Sequence, residues 1–145
     1  MIGHELREFV DRVMDHHVID DEDVKMLQRE ILSDVVMTRD IIDVLVALDR
    51  AVPEACAAFA DYLVALTVDY AVWESRPTGI IDRDKAHWLV TTLSAGDGPS
   101  ATAQRIAFEI VREAECCDEA LIGFALRKGS EKLRGLGAER MLLAS

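Results

Sequence analysis

Apolar and polar positions alternate along this chain with a helical period almost throughout. From Gly3 to Asp15, the residues Leu6, Phe9, Val10, Val13 and Met14 recur three and four apart, the spacing that lays one apolar stripe along a helix. Asp20 or Asp21 stands where it can cap a second helix, striped by Val24, Leu27 and Ile31 and expected to end near Ser33. Thr38 is placed to cap a third through Ile41, Ile42, Val44, Leu45 and Leu48. A fourth, with Pro53 in its first turn, carries Val52, Cys56, Phe59, Leu63, Leu66, Tyr70 and Trp73, alternating four and three apart. That regularity is expected of a long central helix packed along its length.

The stretch Ser75 to Gly79 breaks the pattern and supplies the clearest mid-chain turn. Asp82 then caps a fifth helix bearing Ala86, Leu89, Val90 and Leu93, and Ala95 to Pro99 is the next breaker. Ser100 to Glu115 reads as a sixth helix with Ile106, Ile110 and Val111 inward, and Asp118 caps a seventh through Leu121, Ile122, Phe124, Ala125 and Leu126. A last helix is expected from Ser130 to about Leu143, weakened by Gly135 and Gly137. No strictly alternating run is long enough for a strand. The expected fold class is all-α, a compact bundle of about seven or eight helices.

The chain also resembles itself. Val18-Ile19-Asp20-Asp21-Glu22-Asp23 lies over Ile80-Ile81-Asp82-Arg83-Asp84-Lys85, after which Leu27 falls on Leu89 and Ile31 on Leu93, an offset of 62 residues. With one inserted residue, Asp34 meets Asp97, Leu45 meets Phe108, Leu48 meets Val111 and Ala51 meets Ala114. The reading is one domain over 1–145 with pseudo-repeats at about 18–52 and 80–115, arranged around the fourth helix. Two copies are fewer than the roughly three a solenoid needs.

Composition narrows the function classes. A length of 145 residues with half of them apolar supplies one packed core. Asp and Glu number 27 against 16 Lys and Arg, a formal charge of −11, and such a field repels phosphate backbones and anionic lipid, so nucleic acid is not an expected partner. The most apolar stretch, Ala51 to Trp73, contains Glu54, Asp61 and Asp69, so membrane insertion is not expected either. The start MIGHELREFV lacks the features of a secretory signal, and Cys116 and Cys117 are too close for a mutual bridge, which together point to the cytoplasm.

Candidate chemistry is sparse. A calcium loop needs oxygen ligands at set spacing and a central glycine; between Asp11 and Glu22, Val13 takes a ligand place and His16 the glycine place. His16 and His17 beside Asp15, Asp20 and Asp21 read as a solvated helix end, and His4 and His87 lack partners nearby in sequence. No nucleophile elbow, nucleotide loop or paired catalytic cysteine is present, and Cys116 and Cys117 sit at a helix junction. Tyr70, Trp73 and Trp88 read as core or interface aromatics. Asp69 stands out, since in an enclosed helix its carboxylate needs a partner, whereas on an outer face it meets water.

Several short motifs occur in order: Ser33 to Val52 (SDVVMTRDIIDVLVALDRAV), Thr67-Val68-Asp69-Tyr70, Arg76-Pro77-Thr78-Gly79, Ala86-His87-Trp88-Leu89, Gly96-Asp97-Gly98 and Phe124-Ala125-Leu126. Through them the stretch from Ile31 to Leu126, about two thirds of the chain, resembles the TerB-like helical family, named for the tellurite-resistance protein TerB, and an uncharacterised bacterial branch in particular. The resemblance implies a helical domain with two related halves and prominent acidic residues, suited to cation binding or to metal-stress or membrane-associated complexes. It implies no established enzyme activity. The family places Asp-Gly between helices; this chain has Asp97-Gly98 but Asp34-Val35, which argues against a symmetric pair of ion sites.

The leading expectation is therefore a non-enzymatic module, without a bound cofactor, that binds a partner protein in a stress-response setting through its acidic surface or an apolar groove, with Asp69 as a candidate contact. The alternative is a divalent metal-ion sensor or buffer using Asp20, Asp34, Asp82 and Asp97. Self-association through the fourth or last helix is a further expectation.

Overall fold

The computed structural model describes residues 3–96 and 98–126. Helix α1, His4–His16, buries Leu6, Phe9 and Val13, and ends where His17 turns left-handed and its N–H reaches the Val13 carbonyl. The strand β1, Val18–Ile19, leads to Asp20, whose carboxylate accepts from the Asp23 N–H while Asp23 accepts from the Asp20 N–H. This reciprocal cap starts α2, Asp21–Met26, which continues as a wider π-helical turn, Leu27–Ile31. Thr38 caps α3, Arg39–Ala51. After β2, Glu54–Ala55, α4 runs Ala57–Val68 and extends as a π-helical segment, Asp69–Glu74.

The second half repeats this order. Strand β3, Ile80–Ile81, precedes α5, Arg83–Ser94, capped by Asp82, and Ser100 caps α6, Ala101–Glu113. Strand β4, Cys116–Cys117, then leads to a seventh helix, α7, residues 119–126, at whose start Asp118 accepts from the Ala120 N–H. The expected all-α class holds: the described residues are mostly helical, with seven helices and only these two-residue strands. The expected last helix lies outside the described residues, as does Asp97.

The halves keep step more closely than the sequence alignment allowed. The capping residues Asp20 and Asp82, Thr38 and Ser100, and Cys56 and Asp118 are each 62 residues apart, as are the strand pairs Val18↔Glu54 and Ile80↔Cys116, both parallel. No inserted residue is present. Leu45 therefore corresponds to Ala107 and Leu48 to Ile110, all four buried, while Phe108, its sequence-aligned match, points outward. The left-handed His17 corresponds to the left-handed Gly79. On this register α1 matches residues 66–78, so α4 serves both halves: its first part follows β2, and its continuation takes the place that α1 holds in the first half.

One expectation is corrected here. Val52 to Cys56 is not the first turn of the fourth helix; Val52 is buried in extended conformation, β2 pairs with β1, and the Cys56 N–H donates to the Ile19 carbonyl. Helix α4 packs along α6 and against α2 and α3, α5 packs on α3 and α6, and α1 packs on α3.

Candidate functional site

The turn at Ser75 to Gly79 is organised by one lysine. Lys85, only 1% exposed, occupies the helix position matched by Asp23 in the first half, and its Nζ lies 2.7 to 2.9 Å from the carbonyl oxygens of Ala71, Ser75, Pro77 and Ile80. These are carbonyls at a helix end and turn that lack helical partners, and the ammonium gathers them. Burial lowers the Lys85 pKa from its usual value while Asp82 pulls it upward. With every donor directed to backbone oxygen, this lysine is structural.

Beside it, Tyr70 meets Trp88 edge to face at 6.0 Å, the Arg39 guanidinium lies 5.0 Å over the Trp88 ring, and the Trp88 N–H donates to Asp43. Arg39 also pairs with Asp84 at 2.7 Å. Here α3, α5 and the end of α4 are joined, so Tyr70 and Trp88 are interface aromatics as expected.

Among the described residues, the expected metal residues Asp20, Asp34 and Asp82 form no metal-holding group. Asp20 and Asp82 each cap their own helix, Asp34 is an exposed turn residue, and Asp97 falls outside the described residues. Among the described residues no group of three or more His, Cys, Asp or Glu is placed to hold a metal ion. His4 does have a local partner, Glu8, one helical turn on at 2.8 Å. Cys56, Cys116 and Cys117 are free thiols. Burial, reinforced by Asp118, pushes the Cys117 thiol up to about 11, which removes the thiolate a nucleophile would need. No helix among the described residues is long and apolar enough to cross a membrane.

One concave feature that combines charge with apolar surface is a groove of about 360 Å³ between α4 and α6. Val64, Ala65 and Val68 form its floor, Asp61, Asp69, Glu109 and Glu113 its rim, and Trp73 closes one end. Trp73 is exposed rather than core, and its indole N–H donates to Glu113 at 3.3 Å. Arg105 bridges the groove to Asp61 at 2.8 Å. Of the two surroundings open to Asp69, the structure gives the outer one: it is exposed and makes no hydrogen bond or ion pair among the described residues, and it stays a candidate contact. Glu109, Glu113, Arg105 and the exposed face of Trp73 escaped the sequence reading. Their only trace was the helical spacing of Arg105, Glu109 and Glu113, which looks like any solvated face.

A second groove, about 350 Å³ between α1 and α2, is lined by Glu5, Glu8, Phe9, Arg12, Met26, Glu30 and Ile31. Glu8 and Met26 match Tyr70 and Trp88, so the aromatic pair fills in the second half what the first half leaves open. Arg12 lies across its mouth, 5.5 Å over Phe9 and 2.9 Å from Asp23. Comparison of the chain with protein-family models, with curated proteins and with solved structures finds no match in any of the three.

Proposed function

We propose that the protein is a non-enzymatic binding module that holds a basic segment of a partner protein in the groove between α4 and α6. The observation that carries the reading is the juxtaposition of four rim carboxylates with an apolar floor and an exposed tryptophan, where Asp61 pairs with Arg105 and Glu109 with Arg112 at 3.5 Å while Asp69 and Glu113 have no ion-pair partner among the described residues. Carboxylates attract Lys and Arg, the apolar floor accepts their methylene stems or an intervening aliphatic residue, and the Trp73 face suits a guanidinium or ammonium. The net charge of −11 adds long-range attraction for a basic partner. The resemblance to the TerB-like family supports a module without enzyme activity in a stress-response setting.

The test is calorimetric titration with a synthetic peptide of alternating Lys/Arg and Leu, about a dozen residues long, at low and at high salt. Binding is expected to weaken as salt rises, and the paired changes Asp69→Lys and Glu109→Lys are expected to weaken it at least tenfold, about 1.4 kcal/mol. Asp15→Lys, on the far end of α1, serves as the control. Absence of binding, or an equal loss in the control, removes the groove as the site.

A further inference from the structure

The second half of the molecule shows a helix seated where the first half has an open groove. On α5, Trp88 and Thr92 stand one turn apart, and α3 packs over them: the Trp88 N–H donates to Asp43, the Arg50 guanidinium donates to the Thr92 carbonyl at 3.0 Å, and Arg39 pairs with Asp84. Arg39, Asp43, Val46 and Arg50 follow one another at intervals of four, three and four, so they share one face of α3, and Val46 is buried on it. The 62-residue offset carries Asp84, Trp88 and Thr92 to Glu22, Met26 and Glu30. There the surroundings are reversed. Thr67 and Thr92 are 0% and 8% exposed, whereas their counterparts Glu5 and Glu30 are exposed and line the groove of about 350 Å³ between α1 and α2, beside Phe9, Met26 and Ile31.

We infer that this groove is a second docking site, and that it takes an amphipathic helix of a partner protein, basic at both ends of its contact face and laid over α2 as α3 is laid over α5. Charge selects the basic ends. Arg12, the basic residue of the lining, is already matched by Asp23 at 2.9 Å. Glu8 meets His4, Glu22 meets the exposed Lys25, and Glu5 and Glu30 make no ion pair among the described residues. In this register a cation in the place of Arg39 faces Glu22, and one in the place of Arg50 faces Glu30, which offers a carboxylate where Thr92 offers a carbonyl. Between them, the place of Asp43 falls on Met26, which has no N–H to give as Trp88 has, so an apolar residue belongs there and one turn on. Apolar anchors one turn apart, with arginine stems lying along the floor, are the means by which a groove holds a helix. A second copy of this chain, at a net charge of −11, would bring like charge to an acidic rim. The site does not depend on the groove between α4 and α6.

The experiment titrates the full chain by calorimetry with a helical Ala/Gln peptide of about 18 residues that carries Arg, Leu, Leu and Arg at the spacing of Arg39, Asp43, Val46 and Arg50. A second peptide of the same composition scatters those four residues around the helix. The first is expected to bind about tenfold tighter. Glu8→Lys with Glu30→Lys is expected to abolish that preference, and the same charge change at Asp34 and Glu119 to leave it intact. All four carboxylates are exposed, so these variants keep the fold. No binding, equal binding of the two peptides, or equal loss in the control pair overturns the inference. A preference lost with Asp69→Lys and Glu109→Lys instead puts the peptide between α4 and α6, which overturns this site and leaves the function proposed above standing. Sedimentation of the chain alone tests the other occupant: a dimer that Glu8→Lys and Glu30→Lys dissociate assigns the groove to a second copy and overturns the inference as well.

Discussion

At the scale of single residues, two buried polar groups show opposite solutions to the same cost. The Lys85 ammonium is enclosed by four carbonyl oxygens, so its burial is compensated by hydrogen bonds, and each carbonyl in turn has found a donor. Replacement by methionine keeps the volume and takes that donor from all four carbonyls, of which Pro77 keeps the Ile80 N–H. Lys85→Met is expected to destabilise the protein by about 3 kcal/mol, read from urea unfolding, with near-UV circular dichroism reporting loosened surroundings of Trp73. Thr67, in α4, is the contrary case: its hydroxyl is buried without a hydrogen-bond partner among the described residues. Thr67→Val fills the same space without the unsatisfied oxygen and is expected to stabilise by about 1 kcal/mol in the same assay. Lys85 was legible in the sequence only as a charge in the first turn of a helix. What makes it structural is the path of the chain from Ala71 to Ile80 around its Nζ, and no local pattern encodes that path.

At the scale of elements, the turn after α1 and the turn after α4 solve one geometric problem with different residues. His17 has a φ of 60° and Gly79 a φ of 81°. Glycine takes that conformation freely, whereas histidine is strained there. His17→Gly is expected to stabilise by about 0.5 to 1 kcal/mol, because the relief at this left-handed residue exceeds the added freedom of the unfolded chain. Gly79→Ala is expected to destabilise by about 1 to 2 kcal/mol, since its Cβ would sit 3.1 Å from a Glu115 carboxylate oxygen besides adopting the disfavoured φ. Thermal unfolding of both variants, scanned side by side, checks the opposite signs. The caps and stripes of these helices were readable because capping side chains and apolar periodicity are local, and Asp20, Thr38, Asp82 and Ser100 sit where the pattern put them. The segment Val52 to Cys56 was misread because Val52, Cys56 and Phe59 fall at helical spacing by coincidence. A two-residue parallel strand has no pattern of its own, and its partner lies 36 residues earlier.

At the scale of the whole molecule, the candidate groove was the least legible part, since it exists only where α4 and α6 meet. Arg105 and Asp61, paired across it, are 44 residues apart, and Trp73 and Glu113 are 40 apart. Each helix alone offers ordinary solvated carboxylates. The two-stranded ladders that fasten the halves carry a further consequence. Each closes a loop of 36 residues with very few bonds, among them Cys56 N–H to Ile19 in one half and Asp118 N–H to Ile81 in the other, at 2.9 and 2.8 Å. Neither clasp can hold until the two helices it spans have docked, because closing a loop that long has an entropic cost that a pair of strand residues does not offset alone. These two amides therefore act as separate tell-tales, one for each half. Native-state hydrogen exchange is expected to give them different opening free energies, higher for Cys56, whose half has α5 laid over α3, and lower for Asp118. Equal values would mean that the shared α4 makes the two halves open as a single unit, and the molecule would then be a pair of clasps on one spine that can only be undone together.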